Sequence, residues 1–297
     1  MYHDHYTSCK LCQHRCGIDR RTAHGVCGMS DQPTVARASL HMWEEPPISG
    51  TRGSGTVFFS GCSLSRVYCQ NHAISRGEIG RTVSVSRLAD IMLTLEEKGA
   101  HNVNFVTPTH FVPSIAEAIP LARSRGLTVP TVYNTASYES PEALDLLRGL
   151  IDIYLPDLKY YRPETAALYS HARNYPEAAR AAIDKMVAET GSPVLDSDGI
   201  MKKGTVVRIL LLPGHVAEAK LNLSYLYKTY GDTIFISLMN QYTPTPGMKP
   251  PLDRTVTHAE YDSLVDYALK LGARNCFIQE GGTQSESFIP PFDLTGI

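Results

Sequence analysis

Gly55-Thr56-Val57-Phe58-Phe59-Ser60-Gly61-Cys62-Ser63-Leu64-Ser65-Arg66-Val67-Tyr68-Cys69-Gln70-Asn71 is the stretch on which the reading of this chain turns. Thr56–Ser60 is a short apolar run of strand type that stops at a glycine. The loop after it carries two cysteines, an arginine and a tyrosine. In parallel sheets, reactive side chains gather beyond the carboxyl ends of the strands. A strand that runs straight into such a loop therefore predicts a parallel sheet with its chemistry at that end.

The pattern repeats downstream. Leu88, Ile91, Met92 and Leu95 recur at the spacing of one helix face. Val103–Thr107 is the next strand, followed by a helix over roughly Ser114–Arg125 and a strand at Thr131–Asn134. Glu142–Arg148 reads as helix and Ile151–Leu158 as a strand with apolar residues on both faces. Pro176 suits the first turn of a helix bearing Ile183, Met186 and Val187 that stops near Gly191. Thr205–Leu212 and Thr233–Met239 are buried strands, and Asn275–Gln279 reads as a last one. Thr257 and Glu260 form a capping box for a helix with Tyr261, Leu264, Val265 and Ala268.

About six strand–helix units in alternation predict an α/β fold with helices outside a parallel sheet. An open, partial (β/α)6 barrel fits this count better than a closed eightfold barrel, which needs two more units. Periodicity alone does not separate it from a doubly wound sheet. Residues 1–50, rich in Cys, His, Arg and Gly, read as a separate Cys-rich, metal-binding segment ending in the linker-like Glu45-Pro46-Pro47. Residues 51–297 read as the barrel. Trp43 is expected to pack the first segment onto it.

The bulk composition narrows the function. At 297 residues, 43% hydrophobic, 20% charged and a formal net charge of −2, there is no electrostatic case for nucleic acid or an anionic membrane. No apolar run reaches the ~18 residues of a membrane helix. The first twenty residues lack a secretory pattern, so the expected location is the cytoplasm. Seven cysteines, an odd number clustered at Cys9, Cys12, Cys16, Cys27, Cys62 and Cys69 with Cys276 apart, read as metal ligands in a reducing compartment. Cys276 reads as a small buried apolar residue.

Polar groups follow every strand: Thr107-Pro108-Thr109-His110, Asn134-Thr135, Asp157-Leu158-Lys159, Pro213-Gly214-His215 and Asn240-Gln241-Tyr242. Together they predict one convergent polar site. Cys9, Cys12, Cys16 and Cys27 are spaced closely enough for a tetrahedral zinc site or a second iron–sulfur cluster, with free thiols as the alternative.

The stretch from Phe58 to Asn71 resembles the cluster loop of radical S-adenosylmethionine (SAM) proteins, and is most similar to uncharacterised relatives of the pyruvate formate-lyase activating enzyme. Asn104–His110, Asp152–Lys159, Ser237–Pro244 and the N-terminal cysteines match the same branch. The resemblance implies a [4Fe–4S] cluster held by three cysteines spaced C-x3-C-x2-C, with the fourth iron open to the amino and carboxylate groups of SAM. It implies reductive cleavage of SAM to a 5′-deoxyadenosyl radical that abstracts hydrogen from an unknown small-molecule or protein substrate. An electron donor such as flavodoxin or ferredoxin is implied as partner. Tyr68 would lie beside the cluster and the adenine. Thr107 and Thr109 would stand at the turn receiving the SAM amino group, Asp157 and Lys159 near its carboxylate, and Asn134 and His215 around it.

Cys62 and Cys69 occupy the first and third cluster positions, and Arg66 occupies the middle one. A guanidinium stays protonated and offers no lone pair, so it cannot ligate iron. Arg66 is expected to point into the cavity of Cys62 and Cys69 and to find an acidic partner, a carboxylate ligand or solvent. The alternative reading of the whole chain is a catalytically degenerate SAM- or metal-binding scaffold.

Overall fold

The structure, a computed structural model, describes residues 2–279 and 289–297. In chain order it runs through β1 (Thr34–His41), α1 (Pro46–Ser49), β2 (Ser54–Phe59), α2 (His72–Ser75), β3 (Arg81–Thr82) and α3 (Val85–Glu97). Then come β4 (Val103–Val106), α4 (Val112–Ser124), β5 (Thr131–Thr135), α5 (Pro141–Asp145), β6 (Ile153–Pro156), α6 (Pro163–Ser170) and α7 (Tyr175–Thr190). The chain continues with β7 (Val194–Leu195), β8 (Met201–Leu210), α8 (Val216–Tyr230), β9 (Phe235–Met239), α9 (His258–Leu271) and β10 (Cys276–Ile278).

The strands form one sheet in the order β10-β9-β8-β6-β5-β4-β2-β1-β3. From β2 to β10 every neighbouring pair is parallel. Each of the six strand–helix units expected from the sequence is present, and β10 adds a seventh parallel strand. The result is an open α/β partial barrel. Several elements go beyond the sequence reading, among them β1 and α8. β1, inside the first 50 residues, pairs antiparallel with β2 and takes β3 on its far side. α8 fills the interval between β8 and β9, its apolar Ala219, Leu223 and Leu226 buried against the sheet.

Helix starts follow local chemistry. Ser84 accepts from the Arg87 amide, Ser140 from the Ala143 amide, and Thr257 with Glu260 completes the expected capping box. Strand alternation then sorts the side chains between two layers. Val103, Phe105, Tyr133 and Tyr154 pack outward with Leu88, Ile91, Ile115 and Ile119. Val132, Ile153, Leu155 and Val206 point the other way and enclose Ile48 of α1. The segment read as a linker is thus a plug in the barrel.

The start of the loop after β2 is fixed by Gly61. Its φ is +83°, and a Cβ there would meet Met29 Cγ at 2.2 Å and the Cys27 carbonyl oxygen at 2.8 Å. The adjacent Cys62 amide donates to that same carbonyl at 3.3 Å. Gly61→Ala is expected to destabilise the fold by about 2–4 kcal/mol, from left-handed strain plus overpacking. A denaturant midpoint equal to that of the unaltered chain would contradict this.

Candidate functional site

The loop that follows β2 buries both of its cysteines. Cys62 accepts the Leu64 amide at 3.3 Å, and burial pushes its thiol up to about 11. Arg66 is half-buried. Its Nη2 donates to Cys69 Sγ at 3.5 Å, and its guanidinium lies 5.6 Å from the centre of the Tyr68 ring. The expected acidic partner is therefore replaced by a thiol and an aromatic face.

Cys62 and Arg66 open into a cavity of about 720 Å³ at the carboxyl ends of the strands. Thr107, Asn134, Asp157 and Lys159 line the same cavity. Thr107 has a φ of +57°, unusual for a β-branched residue. Lys159 Nζ donates to Asp157 Oδ2, and Arg208 Nε donates to Asp157 Oδ1 at 2.8 Å. Burial alone would raise the Asp157 carboxyl, but Arg208 and Lys159 outweigh it and hold it down at about 2. Burial, and after it the nearby charge of Arg66, push Lys159 down to about 8.

Arg208 ties this floor together. Besides Asp157 it donates to Asn134 Oδ1 at 2.5 Å and to Glu44 Oε2 at 3.3 Å. Glu44 in turn accepts from Asn104 at 3.0 Å and from Asn134 at 3.1 Å. Neither Glu44 nor Arg208 was singled out in the sequence. The signal for Arg208 was present, since a lone cation interrupts the apolar Val206–Leu210 run. Glu44 had no signal, because nothing local shows that its segment threads the barrel.

The remaining site residues fall elsewhere. Tyr68 lies under the loop, its hydroxyl 2.7 Å from that of Tyr160. Thr109 is buried and donates to Glu139 Oε1 at 2.6 Å. His215 stands 2.9 Å from the Tyr169 hydroxyl, beside a second, much smaller cavity near α8. None of these three lines the large cavity. Trp43 and Cys276 do line it, where the sequence reading had made one a packing residue and the other a buried apolar one.

Burial raises the Cys12 thiol to about 12, with Cys27, Cys9 and Cys16 near enough to add to the rise. Among the described residues, however, no group of three or more His, Cys, Asp or Glu is arranged to hold a metal ion. What the structure shows in this segment is Arg20, fully buried, which donates to the carbonyls of Met29, Ser30 and His110. Its Nη1 lies 3.9 Å from Cys9 Sγ.

The cluster loop itself fits an iron–sulfur cluster at two of three positions. Cys62 and Cys69 offer thiols from one buried loop, but Arg66 offers donors only, one of them already on the Cys69 sulfur. A cluster that requires three protein thiolates does not fit this loop as it stands.

Comparison with known proteins agrees with the fold. An uncharacterized protein of Methanocaldococcus jannaschii is 26% identical over 276 residues, covering 89% of this chain and 75% of that protein. In fold, the chain is similar to Streptococcus suis SuiB bound to S-adenosylmethionine, with a TM-score of 0.51 and 13% identity over 74% of this chain and 48% of that one. It is similar also to the FeFe-hydrogenase maturase HydG from Carboxydothermus hydrogenoformans, with a TM-score of 0.51 and 16% identity over 71% of this chain and 48% of that one. The chain thus spans about half the length of these two solved structures. Among the described residues no helix is long and apolar enough to cross a membrane. Residues 56–220, more than half of the chain, match the family described as the Radical SAM superfamily, and the protein belongs to it.

Proposed function

We propose that this protein binds SAM in the large cavity and is built on the plan of a SAM-cleaving radical enzyme, with a substrate still to be identified. The observation that carries the reading is the convergence of Cys62, Thr107, Asn134, Asp157 and Lys159 from four different loops and strand ends onto one cavity. Lys159 keeps two of its three N–H donors beyond the one on Asp157, and these suit the SAM carboxylate. Asp157, held ionised by Arg208 and Lys159, gives the cationic parts of SAM a fixed negative neighbour. Asn134 is clamped between Glu44 and Arg208, so its position does not depend on the ligand.

In this family a [4Fe–4S] cluster supplies the electron for reductive cleavage of bound SAM and so for hydrogen abstraction from a substrate. In this protein that supply is held back at Arg66, which offers no thiolate at the middle position of the loop. The second reading, a SAM-binding scaffold without radical chemistry, is favoured by one observation alone, the Arg66 donor on the Cys69 sulfur. A zinc ion or second cluster at Cys9, Cys12, Cys16 and Cys27 stays a proposal, which elemental analysis of protein purified without added metal would test.

Calorimetric titration tests the SAM reading. Lys159→Met is expected to weaken SAM binding about tenfold or more, the worth of one buried charge-assisted hydrogen bond. Equal affinity in the two proteins would contradict a SAM site at Lys159.

A further inference from the structure

Arg66 brings donors into the cavity as well as removing a ligand. Of its five N–H groups, Nη2 is on the Cys69 sulfur. Its Nε is buried and has no partner among the described residues. Lys159, in the same cavity, is 8% exposed and has one N–H on Asp157. Arg208 is different, because Asp157, Glu44 and Asn134 each accept from one of its three nitrogens. Two cations with donors to spare therefore line one cavity. Spare guanidinium and ammonium N–H groups on two residues lining one cavity favour an oxyanion there.

The rest of the lining selects which oxyanion. Asp157, held ionised by Arg208 and Lys159, places negative charge in the same cavity, which disfavours a phosphate dianion over a singly charged carboxylate. Glu45 lines the same cavity, with burial pushing its carboxyl up, so Asp157 is the fixed negative neighbour for a cationic group. A ligand carrying both a carboxylate and positive charge meets both demands.

We propose that Arg66 and Lys159 together form a carboxylate site that holds the amino-acid arm of SAM without an iron–sulfur cluster. The proposal rests on the reading that SAM occupies the cavity, and it deepens that reading. Arg66 takes the place, in ligand binding, of the iron that its own presence excludes.

The test uses the full chain stripped of iron, its iron content checked by elemental analysis, and titrated by calorimetry. SAM is expected to bind the iron-free chain. Arg66→Met should weaken it about tenfold or more, and Arg66→Lys less. Affinity for 5′-methylthioadenosine, which keeps the nucleoside and lacks the carboxylate arm, should be the same in all three proteins. Inorganic phosphate should not displace SAM; displacement would overturn the choice of carboxylate. Equal SAM affinity in the unaltered chain and Arg66→Met would overturn the role of Arg66 while leaving the cavity reading intact. Failure of the iron-free chain to bind SAM would also overturn the proposal. If the iron-reconstituted chain fails as well, the cavity reading falls with it. Should Arg66→Met not fold, the carboxyl methyl ester of SAM decides the point on the unaltered chain. The ester is expected to bind about tenfold more weakly or worse, and equal binding overturns the proposal.

Discussion

Arg66→Cys is expected to turn a chain that retains little iron into one that holds about four irons after anaerobic reconstitution. With strong reductant it should form 5′-deoxyadenosine from SAM where the unaltered chain gives only background. The reason is ligand chemistry. The substitution adds the third thiol and at the same time removes the guanidinium that now donates to Cys69. The iron-free variant should bind SAM more weakly than the unaltered chain, because Arg66 no longer contributes. Gain of cleavage with loss of iron-free affinity is a pairing that a general change in folding does not produce. Full iron content and SAM cleavage in the unaltered chain would show that Arg66 is no obstacle. No recovery in the variant would favour the scaffold reading.

The second large effect concerns the floor of the cavity. Arg208→Met leaves the Asp157 and Glu44 carboxylates buried without their principal counter-charge. Breaking one partner out of a buried ionic network costs about 3–5 kcal/mol, far more than deleting a surface pair. The unfolding midpoint should fall accordingly. Adding Glu44→Gln to Arg208→Met should recover part of the loss, since it removes one of the stranded charges. If Arg208→Met changes stability by less than about 1 kcal/mol, the network is not the structural tie described here.

The fold was legible because alternation is a local property. Leu88, Ile91, Met92 and Leu95 announce α3, and Thr257 with Glu260 announces α9, without reference to anything distant. The sites of failure depend on long-range placement. β1 is a strand only because β2 lies beside it, and its mixed burial gives no clean alternation. Pro46-Pro47 has the composition of a linker, yet Ile48 next to it is fully buried in the barrel. α8 was within reach, since Ala219, Leu223 and Leu226 recur at helical spacing.

The site divides in the same way. Cys62, Asp157, Lys159, Thr107 and Asn134 stand at strand ends, where parallel topology brings them together. Thr109 and His215 also follow strands but turn into helix starts, where Glu139 and Tyr169 engage them. Strand-end position fixes which edge a residue joins, and side-chain direction fixes whether it reaches the cavity. Glu44 and Arg208 meet across 164 positions of sequence, a pairing that no window of sequence contains.

The most direct measurement is a crystal structure of the full chain grown with SAM. The account predicts the ligand in the 720 Å³ cavity, its carboxylate on Lys159 and Arg66 and its positive charge toward Asp157. SAM bound elsewhere on the chain, with Lys159 still turned only to Asp157, would contradict it.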